Sequence, residues 1–129
     1  MTPDEQYCVE RLRWHEDRLS KLLQILGVAT FVARRDDDMF RGFYREIKRD
    51  LKDEYAAGAA KGVALSQPER VWLQPPLSEA HTALVASPNG RIGRQLLDGV
   101  LEAHGKVHDG LVELKRRLEH EGSAENDVD

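Results

Sequence analysis

Residues 22–32 read LLQILGVATFV, and they are apolar on almost every side of a helix. Lys21 precedes this run, and Arg34 and Arg35 follow it. Spanning a bilayer takes about 20 apolar residues, so the run is too short for a membrane helix. We therefore expect a helix buried at the centre of the protein, with the remaining chain packed around it.

The composition favours helices over sheets and indicates a single domain. The chain has 129 residues, of which 6% are aromatic and 33% are charged, with five prolines. Its one cysteine, Cys8, excludes an intrachain disulfide and a zinc site built from several thiolates. The polar N-terminus does not resemble a signal peptide. We expect a cytoplasmic protein in which Cys8 is a buried, inert thiol.

Acidic residues are concentrated at the end of the chain. Residues 119–129 contain five acidic residues and no lysine or arginine, which leaves 18 acidic and 19 basic residues in residues 1–118. A short polar segment of this kind has too little apolar surface to fold by itself. The sequence thus predicts one helical domain over residues 1–118 and a disordered acidic tail over residues 119–129.

Apolar residues recur at alternating spacings of four and three near both ends of the domain. We call each such line of positions a seam. After a helix start at Thr2 and Pro3, the first seam consists of Cys8, Leu12, His15, Leu19, Leu22, Leu26, Ala29 and Ala33. The last helix, predicted over about residues 90–120, has a seam of Leu97, Val100, His104, Val107, Leu111, Leu114 and Leu118. This spacing indicates coiled-coil-like packing.

The middle of the chain predicts a second long helix and two short ones. Arg34 and Arg35 followed by residues 36–38, all aspartate, are typical of one helix ending and the next beginning. No glycine or proline interrupts the pattern there, so one continuous helix over residues 4–64 is the alternative. Ser66 and Glu69 form a capping box for a short helix, which we expect Pro75 and Pro76 to stop before a second short helix begins at residue 78. The predicted fold is an all-α, antiparallel bundle of three long and two short helices.

Three histidines could form a metal site in the bundle interior. His15 and His104 occupy seam positions that are otherwise mostly apolar, and His108 follows four residues after His104. Two histidines four apart on a helix can bind one metal ion, and a third from a facing helix could complete the ligand set. We favour the alternative, in which the two seam histidines, His15 and His104, are half-buried at helix ends and hydrogen-bonded to carbonyls, and no cofactor is present. A further histidine, His81, is expected to face solvent.

A basic stripe follows the second long helix, and it could bind a polyanion such as nucleic acid. Its members are spaced by four, three and four residues: Arg41, Arg45, Lys48 and Lys52. An acidic stripe lies beside it, consisting of Glu46, Asp50 and Asp53. Because these carboxylates would repel the same ligand, an ordinary solvated helix face is the competing interpretation.

The apolar connection around Trp72 and Leu73 is a candidate contact for a protein partner, since tryptophan is enriched at interface hot spots. Beside Pro75 and Pro76, the same residues could instead close the end of the bundle, which is the interpretation we favour. No stretch of the sequence contains a motif for nucleophilic, phosphate-binding or metal catalysis. We therefore expect a non-catalytic protein with an interaction, regulatory or assembly role, which forms a homodimer and does not bind membranes. Polyanion binding and metal binding are the alternative functions.

Overall fold

The computed structural model describes the backbone of residues 1–31, 37–61, 65–86 and 94–127 and the side chains of residues 1–26, 41–54, 65–86 and 96–120. Its elements are α1 (Pro3–Phe31), α2 (Asp37–Lys61), α3 (Gln74–Val85) and α4 (Arg94–Asp127), with a five-residue π-helical turn (Glu69–Leu73) before α3. No strand occurs in these ranges. The prediction of an all-α bundle is confirmed, and α1 and α2 are two helices packed on each other rather than one continuous helix.

Neighbouring helices run in opposite directions. On the α1–α2 side, Arg11 contacts Glu54 whereas Arg18 contacts Asp50, so the α2 contacts run backwards along α1. α1 also packs on α4, and α3 packs on both α2 and α4. Short connections between helices favour this antiparallel arrangement. The four helices therefore form a closed ring around a shared core.

The core consists of one apolar stripe from each helix. All six α1 seam residues whose side chains are described are buried, and they pack with apolar residues of the other helices. The largest fully buried side chains are Leu12, His15, Leu19, Leu22, Leu26, Ile47, Leu51, Leu77, Leu84, Leu96 and Leu114. Burial of a leucine stabilises a fold by about 2 kcal/mol, so the four apolar stripes together provide most of the driving force for folding.

The apolar run of α1 is one wall of the bundle rather than its centre. Leu22 and Leu26 are fully buried, but Leu23 and Ile25 are only partly buried. A helix at the corner of a four-helix bundle buries one stripe and leaves its flanks near the surface. The expectation of a central helix is therefore wrong for residues 22–26, and the side chains of residues 27–32 lie outside the described residues.

Pro75 and Pro76 do not separate two short helices as predicted, because α3 begins at Gln74 directly after the π-helical turn. A proline lacks a backbone N–H and is tolerated in the first turn of a helix. The wider π-helical turn supports this junction, since the N–H of Gln74 donates to the carbonyl of Glu69. The predicted cap at Ser66 is confirmed, with the Glu69 N–H donating to Ser66 Oγ at 3.3 Å.

The last helix extends beyond its predicted end near residue 120, since α4 continues to Asp127. Its backbone thus includes much of the segment expected to be a disordered tail, and the division of the chain at residue 118 stays a prediction. One glycine of α4 has a clear packing role: a Cβ at Gly110 would lie 2.6 Å from Pro76 Cγ. None of the described helices is long and apolar enough to cross a membrane.

Candidate functional site

The interface of α1 with α2 contains a charged cluster in place of a continuous apolar contact. Nε and Nη2 of Arg11 donate to the two carboxylate oxygens of Glu54, each at 2.6 Å. Burial by itself raises the pKa of Glu54, but the hydrogen bonds from Arg11 and the contact with His15 outweigh burial and lower this pKa from 4.5 to about 2. Glu54 is therefore charged at any pH near neutrality.

A second arginine, two helical turns further along α1, extends this cluster. Arg18 donates to Asp50 and lies 3.2 Å from a carboxylate oxygen of Glu46. The indole ring of Trp14 lies between the two arginines, with each guanidinium carbon 4.4 Å from the ring centroid. Arginine over tryptophan is a favourable cation–π contact. We call Arg11, Trp14, Arg18, Asp50 and Glu54 the α1–α2 clasp.

His15 lies beneath the clasp and is almost completely enclosed, at 2% exposure. Its Nε2 is 3.2 Å from Glu54 Oε2, yet the geometry is not that of a hydrogen bond, and no other described residue provides a partner. The Trp14 ring meets the imidazole edge-on, with 4.8 Å between the ring centroids. His15, one of the three predicted metal ligands, thus faces the Glu54 carboxylate of α2.

A cleft of about 330 Å³ opens beside the clasp, toward the π-helical turn. Its lining consists of Tyr7, Arg11, Trp14, Asp50, Asp53, Glu54, Leu65, Glu69 and Leu73. Four carboxylates against one guanidinium make this cleft more favourable for a cationic group than for an anion. Burial, followed by the charge of Glu54, raises the pKa of Tyr7, so its hydroxyl is neutral near pH 7.

The structure does not bring the three predicted metal ligands together. His104 Nε2 is hydrogen-bonded to Ser20 Oγ at 3.0 Å, and His108 Nδ1 to Glu16 Oε1 at 3.0 Å. The His104 and His108 rings stack on each other with 6.0 Å between their centroids. Within the described ranges, no group of three or more histidine, cysteine or acidic side chains is placed to hold a metal ion. Metal binding therefore stays a prediction, and the described residues provide no ligand set for it.

The basic stripe is on the surface of α2. The side chains of Arg41, Arg45 and Lys52 are exposed, and Lys48 is half-buried with its Nζ 4.6 Å from the Tyr44 ring centroid. Two of the three acidic-stripe residues, Glu46 and Asp50, contact Arg18 of α1 instead. Arg18 thus neutralises two of the three carboxylates that argued against polyanion binding, whereas Asp53 stays exposed beside the stripe.

The sequence predicted that His81 faces solvent, but in the structure this α3 residue is half-buried. Burial lowers its pKa, and the positive charges of Lys52 and Lys48 lower it further. The charges of Lys52 and Lys48 act on His81, so it lies near these α2 lysines, and its lowered pKa keeps the imidazole neutral near pH 7. Sequence analysis could not have found this link, since His81 is about 30 residues from Lys52 along the chain.

A stripe on the outward side of α4 was not anticipated from the sequence. We call Leu101, Gly105, His108 and Val112 the α4 outer stripe. Leu101 is 48% and Val112 50% exposed, and a Cβ added to Gly105 would meet nothing within 4 Å. The spacing of four, three and four residues places them on one face of the helix. This signal was present in the sequence, but the neighbouring seam of buried residues concealed it.

The candidate partner contact at the π-helical turn is largely internal. Leu73 is buried, and Trp72 is a partly buried residue that packs against the core. The neighbouring Val71 is 50% exposed. Trp72 and Leu73 therefore help to close the end of the bundle, which leaves Val71 as the exposed apolar side chain of this turn.

Comparison with known proteins identifies no relative of this chain. No protein-family model matches it, and neither a curated protein nor a solved structure is significantly similar to it. The candidate surfaces are therefore interpreted from their own geometry and chemistry.

Proposed function

We propose that this protein is a non-catalytic interaction or assembly protein that associates with a second copy of itself through the α4 outer stripe. The observation that carries the proposal is the half-exposed pair Leu101 and Val112, on one helix face with the open glycine Gly105 between them. Apolar side chains that recur on one exposed helix face are typical of helix–helix docking.

The glycine at position 105 also supports self-association. A glycine inside a helix costs about 1 kcal/mol relative to alanine. Close contact with Pro76 accounts for Gly110, whereas no atom in the described part of the chain lies within 4 Å of a Cβ placed at position 105. A second helix approaching the stripe would give Gly105 the packing role that the single chain does not.

The charges beside the stripe favour an antiparallel pair of α4 helices. Asp98 and Glu102 precede the centre of the stripe, and Lys115 and Arg117 follow it. A two-fold axis near the middle of the stripe would bring the acidic end of one helix opposite the basic end of the other. Opposite charges at these positions would favour this pairing over a parallel one.

The stripe covers about three helical turns, which is a small contact by the standards of stable dimers. We therefore expect weak, concentration-dependent association in which the neighbouring surface of α1 contributes additional area. Such a surface fits a protein that joins larger assemblies.

Sedimentation velocity or light scattering over a dilution series tests the proposal. The double variant Leu101→Gln/Val112→Gln should shift the association to higher concentration. The matched control is Val71→Gln/Val85→Gln, which removes two apolar side chains of similar exposure, 50% and 57%, from other elements. A wild-type protein that stays monomeric at every concentration, or equal weakening by both double variants, would overturn self-association through this face.

A further inference from the structure

Tertiary packing sorts the charges of α2 onto two sides. Toward α1, Glu54 is bound by Arg11, and Glu46 and Asp50 are bound by Arg18. On the other side lie the cations of the basic stripe. Among the residues that the structure describes, Arg45, Lys48 and Lys52 have no carboxylate partner. Their charge is therefore available to an external anion.

α3 borders this positive face and holds part of it in place. The hydroxyl of Tyr44 donates to the backbone carbonyl of Leu84 at 2.8 Å, which joins α2 to α3. Lys48 lies on the Tyr44 ring, so the position of this lysine depends on the same contact. Lys52 and Lys48 both act electrostatically on His81 of α3. The face therefore combines exposed arginine and lysine side chains with Lys48, which lies on Tyr44, and with the neighbouring His81.

We propose that Arg45, Lys48 and Lys52 of α2, together with His81 of α3, bind the phosphate groups of a nucleic-acid duplex without reading its sequence. Arg41 begins the same stripe. From Arg45 to Lys52 the helix rises about 10 Å, the length of about three nucleotide steps of one strand.

The chemistry of the face favours the sugar–phosphate backbone over the bases. Lysine and arginine contacts to phosphate position a protein on a duplex without specifying sequence. Tyr44 is buried, so it is not available to stack on an unpaired base, as proteins that bind single strands require. A duplex backbone is therefore the polyanion that this face fits best.

The test is fluorescence anisotropy with a labelled DNA duplex over a range of salt concentrations. Three to four phosphate contacts predict that affinity falls by about 40- to 150-fold between 50 and 200 mM salt. The triple variant Arg45→Gln/Lys48→Gln/Lys52→Gln should reduce this salt dependence to about fourfold or less. Circular dichroism checks that the variant remains helical, and Arg45→Lys, which keeps the charge, should retain binding.

The matched control is Arg13→Gln/Lys21→Gln/Lys106→Gln, which removes three exposed cations from α1 and α4. It changes the net charge by the same amount and should leave most of the duplex affinity. A second readout does not depend on a variant: duplex DNA should raise the pKa of His81, followed by NMR, because nearby phosphates stabilise the imidazolium.

Three results would overturn the proposal. The first is no duplex binding at low salt. The second is equal loss of binding in the triple variant and in its control, which would indicate a diffuse effect of net charge. The third is stripe-dependent binding to phosphatidylserine vesicles but not to the duplex, which would make a membrane surface the ligand. None of these results bears on the α4 outer stripe, so self-association is tested separately.

Discussion

Replacing Glu54 by glutamine removes the carboxylate that the α1–α2 clasp is built around. Glutamine keeps the shape of the side chain, but Arg11 loses a charge-assisted bidentate contact and His15 loses its neighbouring anion. The lowering of the Glu54 pKa from 4.5 to about 2 corresponds to at most about 3 kcal/mol of stability at neutral pH. Since Arg11 is 28% exposed and water screens the pair, we expect Glu54→Gln to lose about 2 kcal/mol.

The sign of the pH dependence follows from the direction of the shift. A carboxyl whose pKa is lower in the folded state stabilises the fold above its unfolded pKa, and this contribution disappears as pH falls toward the folded pKa. The stability difference between wild type and Glu54→Gln should therefore be largest above about pH 5. The difference should fall by more than half by about pH 3, because the stability that depends on the Glu54 charge is lost as pH falls from about 4.5 toward the folded-state pKa near 2.

Urea unfolding at several pH values, followed by circular dichroism and by tryptophan fluorescence, measures this difference. The matched control is Glu113→Gln, which breaks a pair with Arg116 that lies in solvent, where we expect little change. The reasoning is refuted if Glu54→Gln is as stable as wild type at pH 7, or if its deficit is the same at pH 7 and pH 3.

Two further predictions concern packing within the bundle. Gly110→Ala should be less stable than Gly105→Ala by about 1–3 kcal/mol, because only the first variant places a Cβ 2.6 Å from the rigid ring of Pro76. Urea titrations in dilute solution compare the two variants, and equal stability would contradict the contact. Burial, followed by nearby carboxylates, raises the pKa of Cys8 to about 12, so alkylation of the native protein at pH 8 should be on the order of a thousandfold slower than in urea. Similar rates, measured by mass spectrometry, would show that the thiol is accessible.

The helical class of the protein could be predicted from residue spacing because a helix presents every third or fourth residue on one face. All six α1 seam residues with described side chains, from Cys8 to Leu26, are buried for this reason. The cap at Ser66 was equally predictable, since it depends on residues within one turn of each other. The place of the apolar run from Leu22 to Leu26 was not, because its spacing shows which residues avoid water and not how many neighbouring helices cover them.

The short segment before α3 shows where local rules fail. Pro75 and Pro76 predict a break by their own chemistry, but the π-helical turn from Glu69 to Leu73 shifts the hydrogen-bonding pattern and lets the helix continue. A rule based on neighbouring residues cannot anticipate a wider turn that tertiary packing supports. The same limit applies to His81, whose surroundings depend on α2.

Sequence alone determined that this chain forms helices, which residues of α1 avoid water, and that α2 bears cations and carboxylates in adjacent stripes. These properties depend on contacts within a few turns of one helix. Only the tertiary structure decided that the carboxylates Glu46 and Asp50 pair with Arg18 while Lys52 remains available, and that Leu101 and Val112 face outward. The reason is physical: charge pairing and burial depend on which helix lies opposite, and residues distant along the chain determine that arrangement.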